Sequence, residues 1–574
     1  MVWKTDKSHR ELAESEIGTI RKTWKGRIKV ALIYPNIYPV GMSNLGFQTV
    51  YDLLNQIEHV VCERSFLPDV NGNASKRIFT IESGNPISAF DIIAFSTSFE
   101  NDYPNILTIL KRAGLPLLSS DREHPHPLVI AGGVVFFSNP EPVAPFIDCF
   151  LIGEAEDILP RFFDTEIQDL LAHDRKSCLK TLARNVPGTY VPQFYRTTYK
   201  PDGTLETFEP VCDVPDKVER IYLKNLSNTS TCSSILTPDT TFDSTFLIEV
   251  GRGCSHGCRF CSTGFVYRPP RFRPLSLLDR CLIHGMSMTH QIGLVGAAVT
   301  DLPEINKLCD RVLGKDTRIS FSSLRADALS PELLSVLRQS KTKTATIAPD
   351  AGSERMRRVI NKGITEEDIL NVAETLVAGG IPNLKLYFMV GLPTESMDDV
   401  EAIVVLCKKI KHRFLKSSRT RKRIGEITVS LNSFVPKPFT PFQWVAMDDV
   451  PSLKNKIKKI KNGLKRVANV RVHSDIPRWA YVQALLSRGD RNVAQILLLA
   501  NRNSGNWPKT LKASRVNADF YIHRERALDE LFPWEFIDNG INKSFLKQEY
   551  ERAQEGETSP PCPMESCNMC GVCD

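Results

Sequence analysis

The stretch Phe246-Leu-Ile-Glu-Val-Gly-Arg-Gly-Cys254-Ser-His-Gly-Cys258-Arg-Phe-Cys261 sets a CxxxCxxC loop directly behind a short apolar run. The run reads as a buried strand, so the loop lies where a strand hands over to the next element. Thiolates are soft ligands. Three of them in so tight a loop can reach three corners of a four-iron four-sulfur cube, leaving the fourth iron without a protein ligand. Gly251, Gly253 and Gly257 let the backbone wrap closely round such a cluster, and Phe260 stands just before the last cysteine. Zinc is the competing occupant, but a structural zinc site takes four ligands, usually as two separated pairs, and no second cysteine pair lies nearby in sequence.

Downstream of the loop, apolar runs alternate with helical patterns. The candidate strands are Phe246–Val250, Ile292–Gly296, Ile319–Leu324, Thr344–Ala348, Leu384–Val390 and Ile427–Ser433, with amphipathic stretches such as Pro331–Leu337 and Asp368–Ala378 between them. Six strand-helix units predict a partial (β/α)6 barrel over residues 244–448, open on one side. In a barrel, chemistry gathers at the carboxyl ends of the strands. Ser323, Arg325 and Asp327 follow the third strand, Asp350-Ala-Gly352-Ser353-Glu354 the fourth, and Val390-Gly391-Leu-Pro-Thr-Glu395 the fifth. Each of these is either a helix cap or a contact to a bound group, because capping and anion binding use the same helix end. After the last strand, Ser433-Phe-Val-Pro-Lys-Pro-Phe-Thr-Pro-Phe-Gln-Trp444 forms a proline-stiffened loop. In it Lys437 and Gln443 could meet a substrate, while Phe439, Phe442 and Trp444 either wall off water or simply pack.

Ahead of the barrel, residues 1–210 carry a first strand over 27–35, a helix over 46–54, and strand-like runs at 60–62, 91–96, 127–132 and 149–153, with a helix over 103–112. Strands alternating with helices predict a doubly wound, flavodoxin-like α/β sheet whose ligands sit at the carboxyl ends of its strands. The loop 36–45, the turn 96–101 and Gly132-Gly133 would line that edge. Residues 211–243 include a Ser, Thr and Asn-rich run of linker composition.

The chain of 574 residues is too long for one core, and 42% hydrophobic with 24% charged residues suits a globular protein with no membrane span. The start of the chain lacks a secretory apolar core, and the cytoplasm is the expected compartment. A net charge of +7 permits an RNA or phosphate-bearing partner without requiring one. Residues 449–574 read as a small, mainly helical region: an amphipathic helix over 453–467 with a lysine-rich face, a second over 493–500, and the aromatic stretch 532–537. The chain closes with Cys562, Cys567, Cys570 and Cys573 in overlapping CxxC steps, which suit a second iron-sulfur cluster, with zinc or redox-active dithiols as alternatives.

A CxxxCxxC loop behind a strand, with an aromatic before the third cysteine, resembles the radical S-adenosylmethionine (SAM) superfamily. The resemblance implies that Cys254, Cys258 and Cys261 bind a four-iron four-sulfur cluster whose open iron chelates SAM. One electron then cleaves SAM to a 5'-deoxyadenosyl radical. It also implies an electron donor such as flavodoxin or ferredoxin, and places Ser323, Arg325, Asp327, Gly352, Ser353, Glu354 and Gly391 among the residues that hold SAM. The N-terminal sheet, with Ala131-Gly-Gly133, Asn139-Pro-Glu-Pro142 and Ile152-Gly-Glu-Ala-Glu156, looks like the cobalamin-binding module of cobalamin-dependent radical enzymes, and the cysteine tail is similar to that of a bacterial subgroup of them. It departs from that module in lacking the DxHxxG histidine that ligates cobalt. Cobalamin-dependent methyl transfer is thus one reading. The others are a methylthiotransferase-like or other radical enzyme without cobalamin, and a non-catalytic iron-sulfur or RNA-binding protein. No individual catalytic residue and no substrate, small molecule or RNA, is named by the sequence.

Overall fold

The computed structural model describes residues 9–68, 77–164, 167, 171, 174–322, 324–418, 424–564 and 567–573. The N-terminal sheet is built from β1 (Ile28–Tyr34), β2 (Val60–Phe66), β3 (Ile92–Ser96), β4 (Leu128–Gly132), β5 (Cys149–Leu151) and β6 (Thr189–Tyr190). Their order is β2-β1-β3-β4-β5-β6, parallel except for the antiparallel edge strand β6. This is the doubly wound, flavodoxin-like order expected of the alternating pattern. Val30, Ala31 and Ile33 of β1 are wholly buried, as a strand covered on both faces requires, which is why it reads as an unbroken apolar run. Helices α1 (Leu45–Gln56), α2 (Tyr103–Arg112) and α3 (Ala155–Asp164) cover the sheet. The Asn44 side chain accepts from the Phe47 N–H and starts α1 directly after the β1 loop, a cap worth about 1 kcal/mol.

The second sheet system begins with β7 (Phe246–Glu249), β8 (Gln291–Val295) and β9 (Arg318–Phe321), all parallel. It continues with β10 (Thr344–Asp350), β11 (Asn383–Val390) and β12 (Ile427–Ser433). One parallel bridge, Leu324 to Ile347, joins the two groups across an irregular gap. These six strands are the partial barrel. A further strand, β13 (Val470–Ser474), pairs in parallel with β12 and extends the sheet beyond the predicted set. Its alternating half-buried pattern, with Arg471 and His473 outward, belongs to a solvated edge strand and gives little hydrophobic signal.

Helix α4 (Val450–Leu464) opens the C-terminal region, capped by Asp449, and buries Leu453, Ile457, Ile460 and Leu464. Its lysine-rich face is mostly solvated, but Lys456 turns inward to stand 2.9 Å from Glu395 and 2.8 Å from Asp448. The last helix is α5 (Lys543–Glu555). The aromatic stretch 532–537 is core: Phe532, Trp534 and Phe536 are buried, and Phe536 stacks on Phe208 at 4.5 Å. The linker-like segment is laid along the barrel, where the Ser233 and Glu249 N–H groups exchange backbone bonds with Leu247 and Thr231. No helix among the described residues is long and apolar enough to cross a membrane.

Candidate active site

The cysteine loop leaves the end of β7 and is closed by a two-residue antiparallel pairing of Gly251-Arg252 with Arg271-Phe272. Gly253 has φ 83°, and a Cβ there would meet the Tyr267 carbonyl oxygen at 2.7 Å, so only glycine fits the turn. Cys254 and Cys261 are half-buried and Cys258 is buried. The three thiols lie within electrostatic reach of one another; burial pushes the Cys258 thiol up to about 12, against the pull of Lys362. Among the described residues no three or more His, Cys, Asp or Glu side chains are arranged to hold a single metal ion. The ligands of an iron-sulfur cube surround four irons rather than one atom, and the soft donor set fits that group.

Cations and carboxylates ring the loop. Lys362 Nζ lies 2.6 Å from the Asp350 carboxylate and acts electrostatically on Cys258. Burial alone would lower the Lys362 pKa, but Asp350 and the Cys258 thiol outweigh it and raise it, so the ammonium stays charged beside the cluster cysteines. Asp350 holds its position with φ 62°, a left-handed conformation uncommon outside glycine. Arg325 makes a bidentate pair with Asp327 at 2.9 and 2.8 Å, and its charge also reaches Cys254 and Cys258. His256 Nε2 stands 2.6 Å from Asp301 without hydrogen-bond alignment. A cluster ligated by three thiolates is anionic, and Lys362 and Arg325 are placed to offset that charge.

Arg252 fastens the loop to the N-terminal domain. It pairs with Glu154 at 3.0 Å, with Glu249 at 3.0 Å, and with Glu156. Burial would raise the Glu156 carboxyl, but Arg252 reverses the effect and holds it below the usual range. Beside this clasp opens a cavity of about 710 Å³. Its mouth is formed by Asn44, Ser98, Gly133 and Glu154 at the carboxyl edge of the first sheet, facing Arg252, Thr263 and Tyr267 of the cysteine loop. Its floor runs inward as an apolar slot over Val30, Leu32, Ala94 and Ile130, between α1 and α3. The loop 36–45, the turn 96–101 and Gly132-Gly133 therefore all contribute to this wall, and among the described residues no histidine lines it.

Residues 248–407 match the family described as the radical SAM superfamily, and residues 46–192 match the N-terminal family of radical SAM proteins. An uncharacterized protein of Methanocaldococcus jannaschii is 32% identical over 522 residues, covering 90% of this chain and 98% of that one. The chain belongs to the radical SAM superfamily. Membership supports an enzyme and implies the four-iron four-sulfur cluster and SAM as its cofactors. A tRNA-2-methylthio-N(6)-dimethylallyladenosine synthase of Chloroherpeton thalassium is 27% identical over 180 residues, and the match spans 29% of this chain and 40% of that enzyme. Among solved structures, the radical SAM methyltransferase TsrM of Kitasatospora setae, with cobalamin and a four-iron four-sulfur cluster bound, superposes with a TM-score of 0.46 at 13% identity. That superposition covers 84% of this chain and 97% of TsrM.

Within this radical SAM enzyme the strand-end residues divide into two groups. Arg325 stands at the cysteines and holds Asp327, which also faces His256 of the loop. Ser353 caps the helix Glu354–Val359 by accepting from the Met356 N–H, and its hydroxyl donates to Asp399. The Glu354 side chain is 56% exposed and accepts from the Glu366 N–H. A Cβ on Gly352 would lie 2.2 Å from the Ile403 nitrogen, so helix packing demands glycine there. Gly391, φ 81°, donates its N–H to Glu395. Ser323 lies outside the described residues. In the closing loop, the suggestion that Lys437 and Gln443 meet substrate is corrected. Lys437 pairs with the buried Glu100, and Gln443 accepts from the Phe439 N–H and the Trp534 indole. Phe442 and Trp444 are wholly buried, Phe439 nearly so, as packing. Lys362, Asp301 and the Arg252 clasp were missed, because each acts through contacts that local motif spacing does not encode.

Proposed function

We propose that the chain is a cobalamin-dependent radical SAM methyltransferase, with the corrinoid held in the cavity between the N-terminal sheet and the cysteine loop. The observation that carries this reading is the lining of that cavity: polar residues from the carboxyl ends of the first sheet's strands and from the cysteine loop, together with apolar residues of the sheet face. A corrinoid has the matching parts, a broad macrocycle edged with amides and a flat nucleotide base on a flexible tail. Asn44 and Ser98 offer donors and acceptors at the mouth, while Glu154 and Arg252 are already paired in the clasp beside it, and Ala94 leaves room at the floor. No histidine stands among the described residues that line the cavity, so the protein would hold the corrinoid through its macrocycle and tail.

When bound, the cluster supplies the electron that cleaves SAM and cobalamin supplies a methyl carrier. The protein's own part is placement and shielding. Cys254, Cys258 and Cys261 would hold the cluster, Lys362 and Arg325 offset its charge, and the Arg252 clasp fixes the loop against the cavity mouth. Tyr267, half-buried against the cavity, contributes an apolar ring to the wall on the cysteine-loop side. The reductant is a low-potential one-electron donor of the flavodoxin or ferredoxin class.

The test is anaerobic reconstitution with iron, sulfide and hydroxocobalamin, followed by assay for 5'-deoxyadenosine and S-adenosylhomocysteine. Tight cobalamin retention with both products is the expected result, and Cys258→Ala should abolish 5'-deoxyadenosine. Formation of 5'-deoxyadenosine alone, with no corrinoid retained, would reject the cobalamin assignment and give the cavity to the substrate itself.

A further inference from the structure

The four cysteines at the end of the chain fold back against the cluster loop. The Cys562 N–H donates to the carbonyl of Ser255, the residue after Cys254, at 2.7 Å. Arg259, between Cys258 and Phe260, is fully buried and donates to Glu549 of α5 at 3.1 Å, to the Glu557 carbonyl at 2.8 Å and to the Ser559 hydroxyl at 3.1 Å. Asn361 ties the same parts from the other side, its amide donating to the Gly257 carbonyl and its oxygen accepting from the Ser559 N–H. The tail is therefore built into the fold at the back of the cysteine loop.

Within the tail the thiols converge. Cys567 and Cys573 are joined by an antiparallel backbone bridge that sets these two residues side by side, and the Cys573 thiol lies within electrostatic reach of those of Cys562, Cys567 and Cys570. Cys570 is 1% exposed, and its carbonyl accepts from the Asn542 N–H ahead of α5. A cleft joins Cys562, Cys567 and Cys570 to Gly257, Phe265 and Arg268 of the first loop. The buried Arg268 guanidinium lies over Phe265 and Phe545 there, a cation set beside a group of would-be thiolates.

We infer that Cys562, Cys567, Cys570 and Cys573 bind a second four-iron four-sulfur cluster, docked through Arg259 and Asn361 on the loop that holds the first. Cys567, Cys570 and Cys573 stand in a ferredoxin-type CxxCxxC run that suits three corners of a cube, with Cys562 as the fourth ligand; a single zinc held by the same four thiolates is the competing occupant, which the metal content distinguishes. Four protein ligands leave no open iron. This cluster can carry an electron but cannot chelate SAM. The inference stands on the tail's own contacts and is independent of the cobalamin assignment.

The test uses the full chain, purified and reconstituted anaerobically, with iron, sulfide and zinc measured and the reduced protein examined by electron paramagnetic resonance. The Cys254→Ala, Cys258→Ala, Cys261→Ala triple variant should retain about half the iron and sulfide of the natural chain, with a signal that SAM leaves unchanged. The Cys567→Ser, Cys570→Ser, Cys573→Ser triple variant should also retain about half, with a signal that SAM shifts. Circular dichroism confirms that both are folded. Adding Cys562→Ser to the loop variant should open one iron and make the remaining signal respond to added imidazole. A folded loop variant that holds no iron, or that carries zinc on its tail, would overturn the assignment.

Discussion

The Lys362 ammonium sits 2.6 Å from the Asp350 carboxylate and close enough to act on the Cys258 thiol, so a buried ion pair stands directly behind one cluster ligand. The pair joins two elements, since Asp350 ends β10 and Lys362 follows the helix Glu354–Val359. Its Asp350 member occupies a left-handed backbone conformation that this contact helps to hold.

Removing that positive charge should make the cluster harder to reduce. A Lys362→Met variant loses about 1 kcal/mol of favourable interaction with an added electron, which for a one-electron couple lowers the potential by on the order of 40 mV. Leaving Asp350 unpaired pushes in the same direction, so Lys362→Met with Asp350→Asn should recover part of the shift. Spectroelectrochemical titration of the reconstituted chain reads both values. An unchanged potential in Lys362→Met would mean that the ammonium does not act on the cluster.

Arg259 should act as the pin of the C-terminal region. It is fully buried, and cutting a buried ion pair at one partner costs about 3–5 kcal/mol; Glu549 keeps Arg552 at 2.9 Å, which favours the lower end of that range. In Arg259→Met, amide hydrogen exchange should rise across Lys543–Glu555 and the tail while β1 to β5 stay protected. Uniform loss of protection through the N-terminal sheet would instead mark Arg259 as essential to the whole fold.

Much of the architecture was legible in the sequence because the buried parallel strands are unbroken apolar runs. Tyr103–Arg112 is a helix with the predicted limits, and Ile427–Ser433 a strand with the predicted limits. What escaped were features fixed by distant partners. β13 alternates on a half-solvated edge inside a lysine-rich region, so its pattern is weak. Lys437 reads as a substrate contact and Lys456 as part of a solvated face until Glu100 and Glu395, far away in sequence, are placed beside them. At the site, the three cysteines, Arg325 and Asp327 were visible because the loop and the strand end are local signals. Lys362 and the Arg252 clasp depend on tertiary placement, and Ser353 carries the cap chemistry that had made it ambiguous.

Asp102 should make stability depend on pH in a recognisable direction. It is 6% exposed, accepts from the Asn36 amide, and burial raises its carboxyl to about 6. A carboxyl whose folded value lies above its unfolded one keeps its proton longer in the native state. Native stability therefore falls as pH rises through the window between about 4 and about 6. Asp102→Asn can still accept from Asn36 and carries no charge to bury. It should gain on the order of 2 kcal/mol at pH 8, with the gain shrinking progressively as pH falls towards 4. Urea unfolding of both chains across that range gives the comparison, and a gain independent of pH would show that Asp102 is not the titrating group.

The apolar slot offers a direct handle on what occupies the cavity. Ala94 lies on β3 at its floor, 7% exposed, with Val30 and Leu32 of β1 and Ile130 of β4 also on that floor. An Ala94→Leu side chain would project into the space assigned to the nucleotide end of the corrinoid, while the cysteine loop lies beyond the mouth and should be untouched. Overpacking a filled site costs about 1–3 kcal/mol, so hydroxocobalamin affinity, read by absorbance titration, should fall by about tenfold or more. Cleavage of SAM to 5'-deoxyadenosine under reduction should persist, because the cluster ligands and the Lys362 and Arg325 cations are unchanged. Loss of corrinoid binding together with retained cleavage would separate the two functions of the molecule along the cavity wall. Equal affinity in both chains would mean that cobalamin, if bound, sits elsewhere and that the slot belongs to another ligand.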